Sequence, residues 1–331
     1  MILEILKEPQ WIKLQKLNFK FHLMSYIGLD EQIRRNNRKS VLLLLSFPLL
    51  ILLGVYAFYY LTFQEEGMDE VNLSFLKSIP VVAILVGVWF LIAFTSHTAM
   101  IKASTGARSL TRKENKGIYN LTENLCMSVG MKTPKIFIID SPVLNAYASG
   151  INDKTYAVTL TRGIIDKLEE KELEGVIAHE LTHIRNRDVR LLIISIIFVG
   201  IFAFAVNALY RLVFYSGRRR NKNDKVDGRI FIVALLIAVV AYFLSILFKF
   251  ALSRKREYLA DAGAVEMTKN PEAMANALRK ISGNSNLESR SDDVKQLFID
   301  NSPKKGFFST MGGLFSTHPP IEKRIQFLDQ M

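Results

Sequence analysis

Long apolar runs alternate with charged segments along this chain. The apolar runs cover residues 41–63, 79–101, 191–210 and 230–248. Each run is about long enough to cross the hydrocarbon core of a bilayer, which takes roughly 17 to 25 helical residues. The pattern therefore predicts an α-helical integral membrane protein with four apolar spans, arranged as a first hairpin over residues 41–101 and a second over 191–250.

The segments outside the apolar runs are polar enough to fold in water. An N-terminal segment covers residues 1–40, and two longer segments cover 102–190 and 251–331. Residues 136–140 are predicted to form a short buried strand, and 155–161 alternate like a strand with one polar face. The proline-free stretch 173–186 predicts a helix. We expect the two longer segments to be halves of one mostly helical α+β domain that carries a small β-sheet.

Composition supports a membrane location. Half of the 331 residues are hydrophobic, the mean hydropathy is +0.18 and the formal net charge is +12. The cationic residues cluster beside the apolar runs rather than in one aromatic-rich domain, so the charge indicates a lipid bilayer as partner and not a nucleic acid. Cys126 is the only cysteine, which excludes an intrachain disulfide and fits a domain that faces the cytosol.

The distribution of charge sets the expected orientation. Basic residues precede the first apolar run and follow the second, at Arg34, Arg35, Arg38, Lys39, Lys102, Arg108, Arg112 and Lys113. The loop between these two runs is acidic and is expected outside, so the positive-inside rule places segments 1–40 and 102–190 in the cytoplasm. The loop between the third and fourth runs is also basic, against this orientation. The second hairpin therefore either spans as an exception or lies partly in the interface or the protein interior.

A candidate metal site lies in the helix predicted at 173–186. His179, Glu180 and His183 spell the pattern H-E-x-x-H. Their spacing places both imidazoles on one helical face, where they can hold one Zn²⁺, and it places Glu180 beside the water that the ion would activate. The alternative is a helix that carries two histidines by chance. In the functional interpretation Glu180 is the general base of a zinc peptidase.

A catalytic zinc ion usually has three protein ligands, so a third must come from elsewhere in the chain. Glu257 is the best candidate, because it shares a helical face with a second acid, Asp261. In such a pair the first carboxylate can bind the metal, and the second can accept the N–H of an imidazole that binds the same metal. The alternative is an amphipathic helix in which both acids pair with neighbouring basic residues. Asp188, five residues beyond His183, is expected to cap a helix or to pair locally, with Arg185 as a candidate partner, rather than to bind the metal.

Four motifs together resemble the HtpX-type bacterial membrane zinc metalloproteases, which are related to the CAAX prenyl proteases. The motifs are H-E-L-T-H with I-R-N-R-D at 179–188, E-Y-L-A-D at 257–261, N-A-Y-A-S at 145–149 and S-T-H-P-P-I-E-K-R-I at 316–325. They occur in the family's order, and the resemblance extends from about residue 29 to residue 327. Residues 1–23 are additional, and either form an interfacial anchor or precede a translation start at Met24.

The resemblance implies a zinc endopeptidase with a zincin-like domain and one Zn²⁺ per chain. The implied location is the bacterial cytoplasmic membrane, and the implied substrates are misfolded or damaged membrane proteins, cleaved on the cytoplasmic side. The implied site residues are the ligands His179, His183 and Glu257, the base Glu180, the orienting carboxylate Asp261, His318 and Arg324 as groups that stabilise the tetrahedral intermediate, and Asn145 as a group that positions the substrate backbone.

Substrate binding is expected at the strand that precedes the zinc helix. As an edge strand it would accept an extended substrate as an added strand, held by main-chain hydrogen bonds that ignore most side chains. The residues concerned are Thr155, Tyr156, Ala157, Val158 and Thr159. The alternative is an ordinary strand that is paired on both sides.

Other functions remain open on the sequence alone. A CAAX-type or other specific processing metalloprotease would use the same site. An intramembrane-cleaving protease would embed the H-E-x-x-H pattern in an apolar span, whereas charged residues flank it here. A catalytically silent membrane scaffold would need no zinc. The sequence gives no indication of the oligomeric state.

Overall fold

Helices form most of the described chain, which comprises residues 29–215, 228–250, 255–282, 284, 299 and 319–331 of this computed structural model. The helices are α1 (Leu29–Phe63), α2 (Met68–Thr105), α3 (Lys116–Ser128), α4 (Arg162–Lys167), α5 (Glu170–Arg185), α6 (Asp188–Tyr215), α7 (Gly228–Phe250), α8 (Lys255–Thr268), α9 (Pro271–Ile281) and α10 (Ile321–Leu328). A short 3-10 turn at Gln64–Glu66 joins α1 to α2. The four predicted apolar runs lie in α1, α2, α6 and α7.

The first two apolar helices are longer than the runs that predict them. α1 has 35 residues and α2 has 38, so each is more than about 50 Å long and extends beyond a hydrocarbon core of about 30 Å. Pro80 lies well inside α2, because that helix begins at Met68.

Within the described residues, three helical stretches have the length and apolar character of a membrane span. They are Ile33–Glu66, Met68–Thr105 and Asp188–Arg211. The corresponding stretch of α7, Ile230–Ile246, is apolar but shorter. The expectation of a fourth span therefore stays a prediction.

One face of α1 is apolar and exposed, as a lipid-facing surface requires. Leu42, Leu45 and Leu49 are each more than 60% exposed. On the opposite face Phe47 stacks on Phe198 of α6, with ring centroids 4.4 Å apart. A small buried cluster, to which α7 also contributes, surrounds this pair. The apolar helices therefore pack on each other through one face and leave the other face for lipid.

The sheet lies in the first polar segment and is mixed. Its described strands are β1 (Arg108–Ser109), β2 (Lys135–Ile139), β3 (Ala146–Ser149) and β4 (Ala157–Thr161), in the order β1-β2-β4-β3. β2 and β4 are parallel and correspond closely to the two predicted strands. β3 lies in a stretch for which the sequence predicts no strand, and it pairs antiparallel to β4. Among the described strands, β4 is therefore interior and β3 lies at the edge.

The helix that carries the H-E-x-x-H pattern, α5, is buried on most sides. A capping box formed by Glu169 and Glu172 fixes its N-terminus. α8 crosses α5 at Gly263, where a Cβ atom would lie 2.4 Å from Cγ2 of Thr182. Because only glycine leaves room for this approach, α8 packs closely on α5. This contact brings the side chains of α8 to the histidines.

Candidate metal centre

The two histidines of α5 face each other across one helical turn. Their Nε2 atoms are 3.1 Å apart, and their ring centroids are separated by 4.7 Å. His179 is fully buried, whereas the side chain of His183 is 13% exposed. This pair therefore presents two nitrogen ligands to one point, with access from one side.

Glu257 of α8 completes a three-residue cluster. Its Oε2 lies 3.7 Å from Nε2 of His179, and its Oε1 lies 3.8 Å from Nε2 of His183. With Zn–N bonds of about 2.0–2.1 Å, two corners of a tetrahedron around zinc are about 3.3 Å apart. Two imidazoles and a carboxylate at this separation fit Zn²⁺ with a fourth position left for water or substrate. In the described part of the chain, no other group of three His, Cys, Asp or Glu side chains converges in this way.

Each imidazole has its own carboxylate on Nδ1. Oδ1 of Asp261 lies 3.0 Å from Nδ1 of His179, and Oδ2 of Asp188 lies 3.2 Å from Nδ1 of His183. An ionised carboxylate only accepts hydrogen bonds, so Nδ1 carries the hydrogen in each ring. This tautomer leaves the lone pair of Nε2 for the metal.

Asp188 pairs locally, as predicted, but its partner is His183 and not the candidate Arg185. Arg185 lies instead 3.6 Å from Glu266 of α8. The reason is the sharp turn between α5 and α6, where Arg187 adopts a left-handed φ of 60°. This turn returns the first side chain of α6 towards the end of α5. The only signal in the sequence is an acid shortly after the second histidine.

Glu180 lies next to the edge of the sheet. It is 1% exposed, and the main-chain N–H of Ala148 in β3 donates a hydrogen bond to its carboxylate. Burial raises the pKa of Glu180 above its ordinary value, although the neighbouring histidines oppose this effect. A carboxylate with a raised pKa is a better proton acceptor at neutral pH. The position and the environment of Glu180 therefore suit a general base.

Arg324 of α10 is fully buried behind the ligands. Its Nε and Nη2 donate to the two oxygens of Asp261 at 2.9 and 2.6 Å, and its Nη1 lies 3.5 Å from Oε2 of Glu257. This forked contact fixes the orientation of the Asp261 carboxylate. Stabilisation of a tetrahedral intermediate by Arg324 stays a prediction. His318, for which the same role is implied, lies outside the described residues.

The charges in this cluster influence each other. Burial alone would lower the pKa of His179, but its contacts with Asp261 and Glu257 outweigh burial and raise the pKa to about 9. Binding of a metal ion at Nε2 would therefore release a proton from this ring at neutral pH. Burial would raise the pKa of Asp261, but the charge and hydrogen bonds of Arg324 outweigh burial and lower it. Asp261 is therefore ionised at neutral pH, as a partner of a metal-bound imidazole must be.

The prediction that residues 155–159 form an edge strand is wrong. Ala157, Val158 and Thr159 belong to β4, which pairs with β2 on one side and with β3 on the other. Thr155 and Tyr156 precede the strand and lie in a turn. Alternation of polar and apolar residues fits an edge strand and an interior strand equally well, so the sequence does not distinguish them.

The edge strand β3 faces the histidine cluster. The N–H of Thr161 in β4 donates to the carbonyl of Asn145, just before β3. In an antiparallel pair every second residue bonds to the partner strand, so the main-chain N–H and C=O groups of Ala146 and Ala148 are directed away from β4. The N–H of Ala148 reaches Glu180, as described above. The edge of the sheet and the base are therefore in direct contact.

Asn145 is buried rather than open to a substrate. Its Oδ1 accepts hydrogen bonds from the N–H groups of Ala146 and Ile299, at 2.9 and 3.2 Å. The N–H of Ile299 also donates to the carbonyl of Ala146. Asn145 therefore shapes the start of the edge strand from inside, and a direct contact with substrate is not supported by this geometry.

Comparisons with known proteins show the family of this chain. Residues 112–331 match peptidase family M48. The protease HtpX homolog of Bacteroides fragilis is 55% identical over 321 residues, which cover 93% of this chain and 100% of that protein. The protease HtpX homolog of Dictyoglomus thermophilum is 40% identical and covers 91% of this chain and 94% of that protein. The crystal structure of S. mikatae Ste24p aligns with a TM-score of 0.48 and 20% identity, over 90% of this chain and 66% of that one.

The region that matches the family contains the whole cluster of His179, His183 and Glu257. The apolar helices of this chain and its similarity to HtpX homologs together indicate a membrane-bound protein. This chain belongs to peptidase family M48, as a membrane metalloprotease of the HtpX type.

Proposed function

We propose that this protein is a zinc-dependent endopeptidase of the bacterial cytoplasmic membrane that hydrolyses misfolded or damaged membrane proteins on the cytoplasmic side. The observation that carries the proposal is the convergence of two imidazole nitrogens and a carboxylate beside a buried base. The two relatives described above are named proteases, which supports peptide hydrolysis as the reaction.

The side chains of the site have three different roles in the proposed reaction. His179, His183 and Glu257 would hold the zinc ion, which when bound would supply Lewis acidity for the attacking water and the scissile carbonyl. Glu180 accepts the proton of that water and delivers it to the leaving amine, which a carboxylate with a raised pKa does efficiently at neutral pH. The carboxylates on the two Nδ1 atoms keep both imidazoles in the ligating tautomer.

The edge strand β3 is the proposed binding site for substrate. An extended segment that adds to β3 would lie beside Glu180 and pair with the carbonyl of Ala148, which is directed away from β4. The main-chain groups of Ala146 and the N–H of Ala148 have partners within the chain. Main-chain hydrogen bonds select an extended backbone rather than particular side chains. Such selection suits unfolded segments of many proteins, as quality control requires.

The cytoplasmic orientation is supported by charge. The N-terminal part of α1 carries exposed Arg34 and Arg35, whereas the turn between α1 and α2 carries exposed Glu65 and Glu66. Basic residues favour the cytoplasmic side of a membrane helix. The zinc helix α5 follows the cytoplasmic end of α2, so the site would face the cytosol.

The test is proteolysis by the purified full chain in detergent. We expect about one zinc per chain and cleavage of an unfolded membrane protein, with activity lost in a chelator and restored by zinc. Glu180→Gln serves as the control for contaminating proteases. Zinc-independent cleavage or the absence of zinc would contradict the proposal, and cleavage at only one short sequence would indicate a processing enzyme instead.

A further inference from the structure

The N-terminal part of α1 contacts the turn that follows the zinc helix. Asn36 is 1% exposed, and its Nδ2 donates to the carbonyl of Asn186 at 2.8 Å and to Oδ1 of Asp188 at 2.7 Å. Neither acceptor can donate a hydrogen bond, so both amide hydrogens are used and the orientation of the amide is fixed. The contact joins α1 to a turn about 150 residues further along the chain.

Asp188 connects this amide to the histidine cluster. The carboxylate is 2% exposed, and its other oxygen, Oδ2, lies 3.2 Å from Nδ1 of His183. Because a carboxylate is planar, a donor on Oδ1 sets the rotation that brings Oδ2 to the imidazole. Asn36 and Asp188 are both buried, so the low local dielectric strengthens the hydrogen bond between them.

A neighbouring contact holds the same turn without Asp188. Oδ1 of Asn37 accepts a hydrogen bond from Nη1 of Arg187 at 3.0 Å. Asn37 and Asn36 are adjacent amides on one helix, and both contact the turn between α5 and α6. Of these two residues, only Asn36 contacts the carboxylate of Asp188 that holds His183. A comparison of variants at Asn36 and Asn37 therefore distinguishes an effect on the imidazole from a general loosening of α1.

We propose that Asn36 is a positioning residue for the metal site. Through Asp188 it holds the ring of His183 in the orientation that directs Nε2 to the ion, and so makes the N-terminal part of α1 a part of the catalytic frame. The inference rests on the proposed zinc-dependent function.

The expected effect is on metal affinity and turnover. Groups that orient metal ligands contribute about 10 to 100-fold to affinity or activity. Asn36 acts one contact further out, so Asn36→Ala should raise the zinc Kd about 3 to 10-fold and lower kcat by a similar factor. KM should stay unchanged, because Asn36 does not contact the edge strand that binds substrate. Asn37→Ala should change neither Kd nor kcat.

The experiment measures zinc Kd by competition with a chelator of known affinity, on the full chain in detergent. The proteins are the wild type, Asn36→Ala, Asn37→Ala, Asp188→Ala and the double variant Asn36→Ala/Asp188→Ala. The Tm of each is recorded with and without zinc. If Asn36 acts through Asp188, the double variant should have the same zinc Kd as Asp188→Ala alone.

An unchanged Kd in Asn36→Ala, with the Tm lowered equally in both forms, would mean a merely structural contact and would overturn the inference. Should Asn36→Ala not fold, Asn36→Asp keeps the size and sets a second carboxylate against Asp188. Its zinc Kd is then expected to rise more than about tenfold, and an unchanged value would equally overturn the inference. A wild type that binds no zinc would instead refute the proposed function itself, and this inference with it.

Discussion

Each metal ligand in this protein is held by a side chain from another element. Asp261 on α8 holds His179, Asp188 on α6 holds His183, and Arg324 on α10 contacts Glu257. The ligands therefore remain in place only while several elements keep their relative positions. This arrangement makes the ranking of single substitutions predictable.

Loss of the third ligand should be more damaging than loss of its neighbour. Glu257→Ala removes a ligand atom, and we expect zinc retention and activity both to fall by more than about 100-fold. Asp261→Ala leaves all three ligands but frees the ring of His179, and should cost about 10 to 100-fold. Zinc content after dialysis and kcat/KM measure both effects, and full zinc occupancy with normal activity in Glu257→Ala would exclude Glu257 from the site.

The base can be separated from the metal. Glu180→Gln keeps the size of the side chain and its place beside β3, but an amide does not accept the proton of the attacking water. We expect zinc content to be unchanged and kcat to fall by at least about 10²-fold. The variant should still bind an unfolded substrate, which a pull-down with labelled substrate measures. Cleavage at the normal rate would assign the base to another residue.

The site residues differ in how far the sequence reveals them. The spacing within α5 indicates two ligands and the base, because one helical turn decides which side chains share a face. The contacts of Asp188 and Asn36 depend on how α1 meets the turn at Arg187. Local periodicity contains no information on that approach, so the sequence predicts neither contact.

At the scale of elements, the approach of α8 to α5 decides whether the ligands converge. Gly263→Ala places a Cβ atom 2.4 Å from Cγ2 of Thr182, so α8 must shift and carry Glu257 with it. We expect weaker zinc binding and a lower Tm. Gly87→Ala, which meets no atom within 4 Å, is the matched control.

Thr182→Ala combined with Gly263→Ala restores room between the two helices. The double variant should regain part of the zinc affinity that Gly263→Ala loses. If the two substitutions simply add, the steric explanation is wrong.

The order of the strands gives opposite expectations for two proline substitutions. Val158→Pro introduces a residue without N–H into the interior strand β4 and should prevent folding of the polar domain. Ala148→Pro removes an N–H that is directed away from β4, so the domain should fold and bind zinc. Its kcat/KM for an unfolded substrate should fall at least about tenfold, because Glu180 loses the N–H of Ala148 and the proline ring changes the edge to which a substrate strand would add. Folded Ala148→Pro with unchanged kcat/KM would exclude strand addition at β3.

The sheet also shows where prediction from sequence ends. β2 and β4 are visible in the sequence because runs of β-branched and apolar residues are long enough to be recognised. β3 has four residues, all buried, and no alternation. Its place at the edge follows from its pairing with β4 and from the contact of Ala148 with Glu180. Both are tertiary contacts, which the local sequence pattern does not reveal.

At the scale of the whole molecule, the orientation in the membrane can be tested by labelling. The only native cysteine, Cys126, is buried. Labelling of an introduced cysteine is therefore expected to come from that cysteine and not from Cys126. Glu66→Cys should react with a membrane-impermeant thiol reagent from outside, and Lys113→Cys only after lysis, because basic segments face the cytoplasm. Reaction of Lys113→Cys in intact cells would reverse the orientation.

The same assay decides whether the fourth apolar run crosses. Asn223 lies outside the described residues, in the loop between the third and fourth runs. Labelling of Asn223→Cys from outside is expected for a spanning hairpin. Protection there in intact cells, with reaction after lysis, would mean that the hairpin does not cross.

The short turn between α5 and α6 limits how far a substrate must leave the bilayer. From His183 to Leu191, where the third apolar run begins, the chain has two short helical stretches and one turn, and spans no more than about 18 Å. An extended substrate covers that distance with about five residues. Under the proposed function, a damaged membrane protein would be cut close to the point where it emerges, and its next bonds would become accessible only as fast as its own helix is drawn out of the lipid.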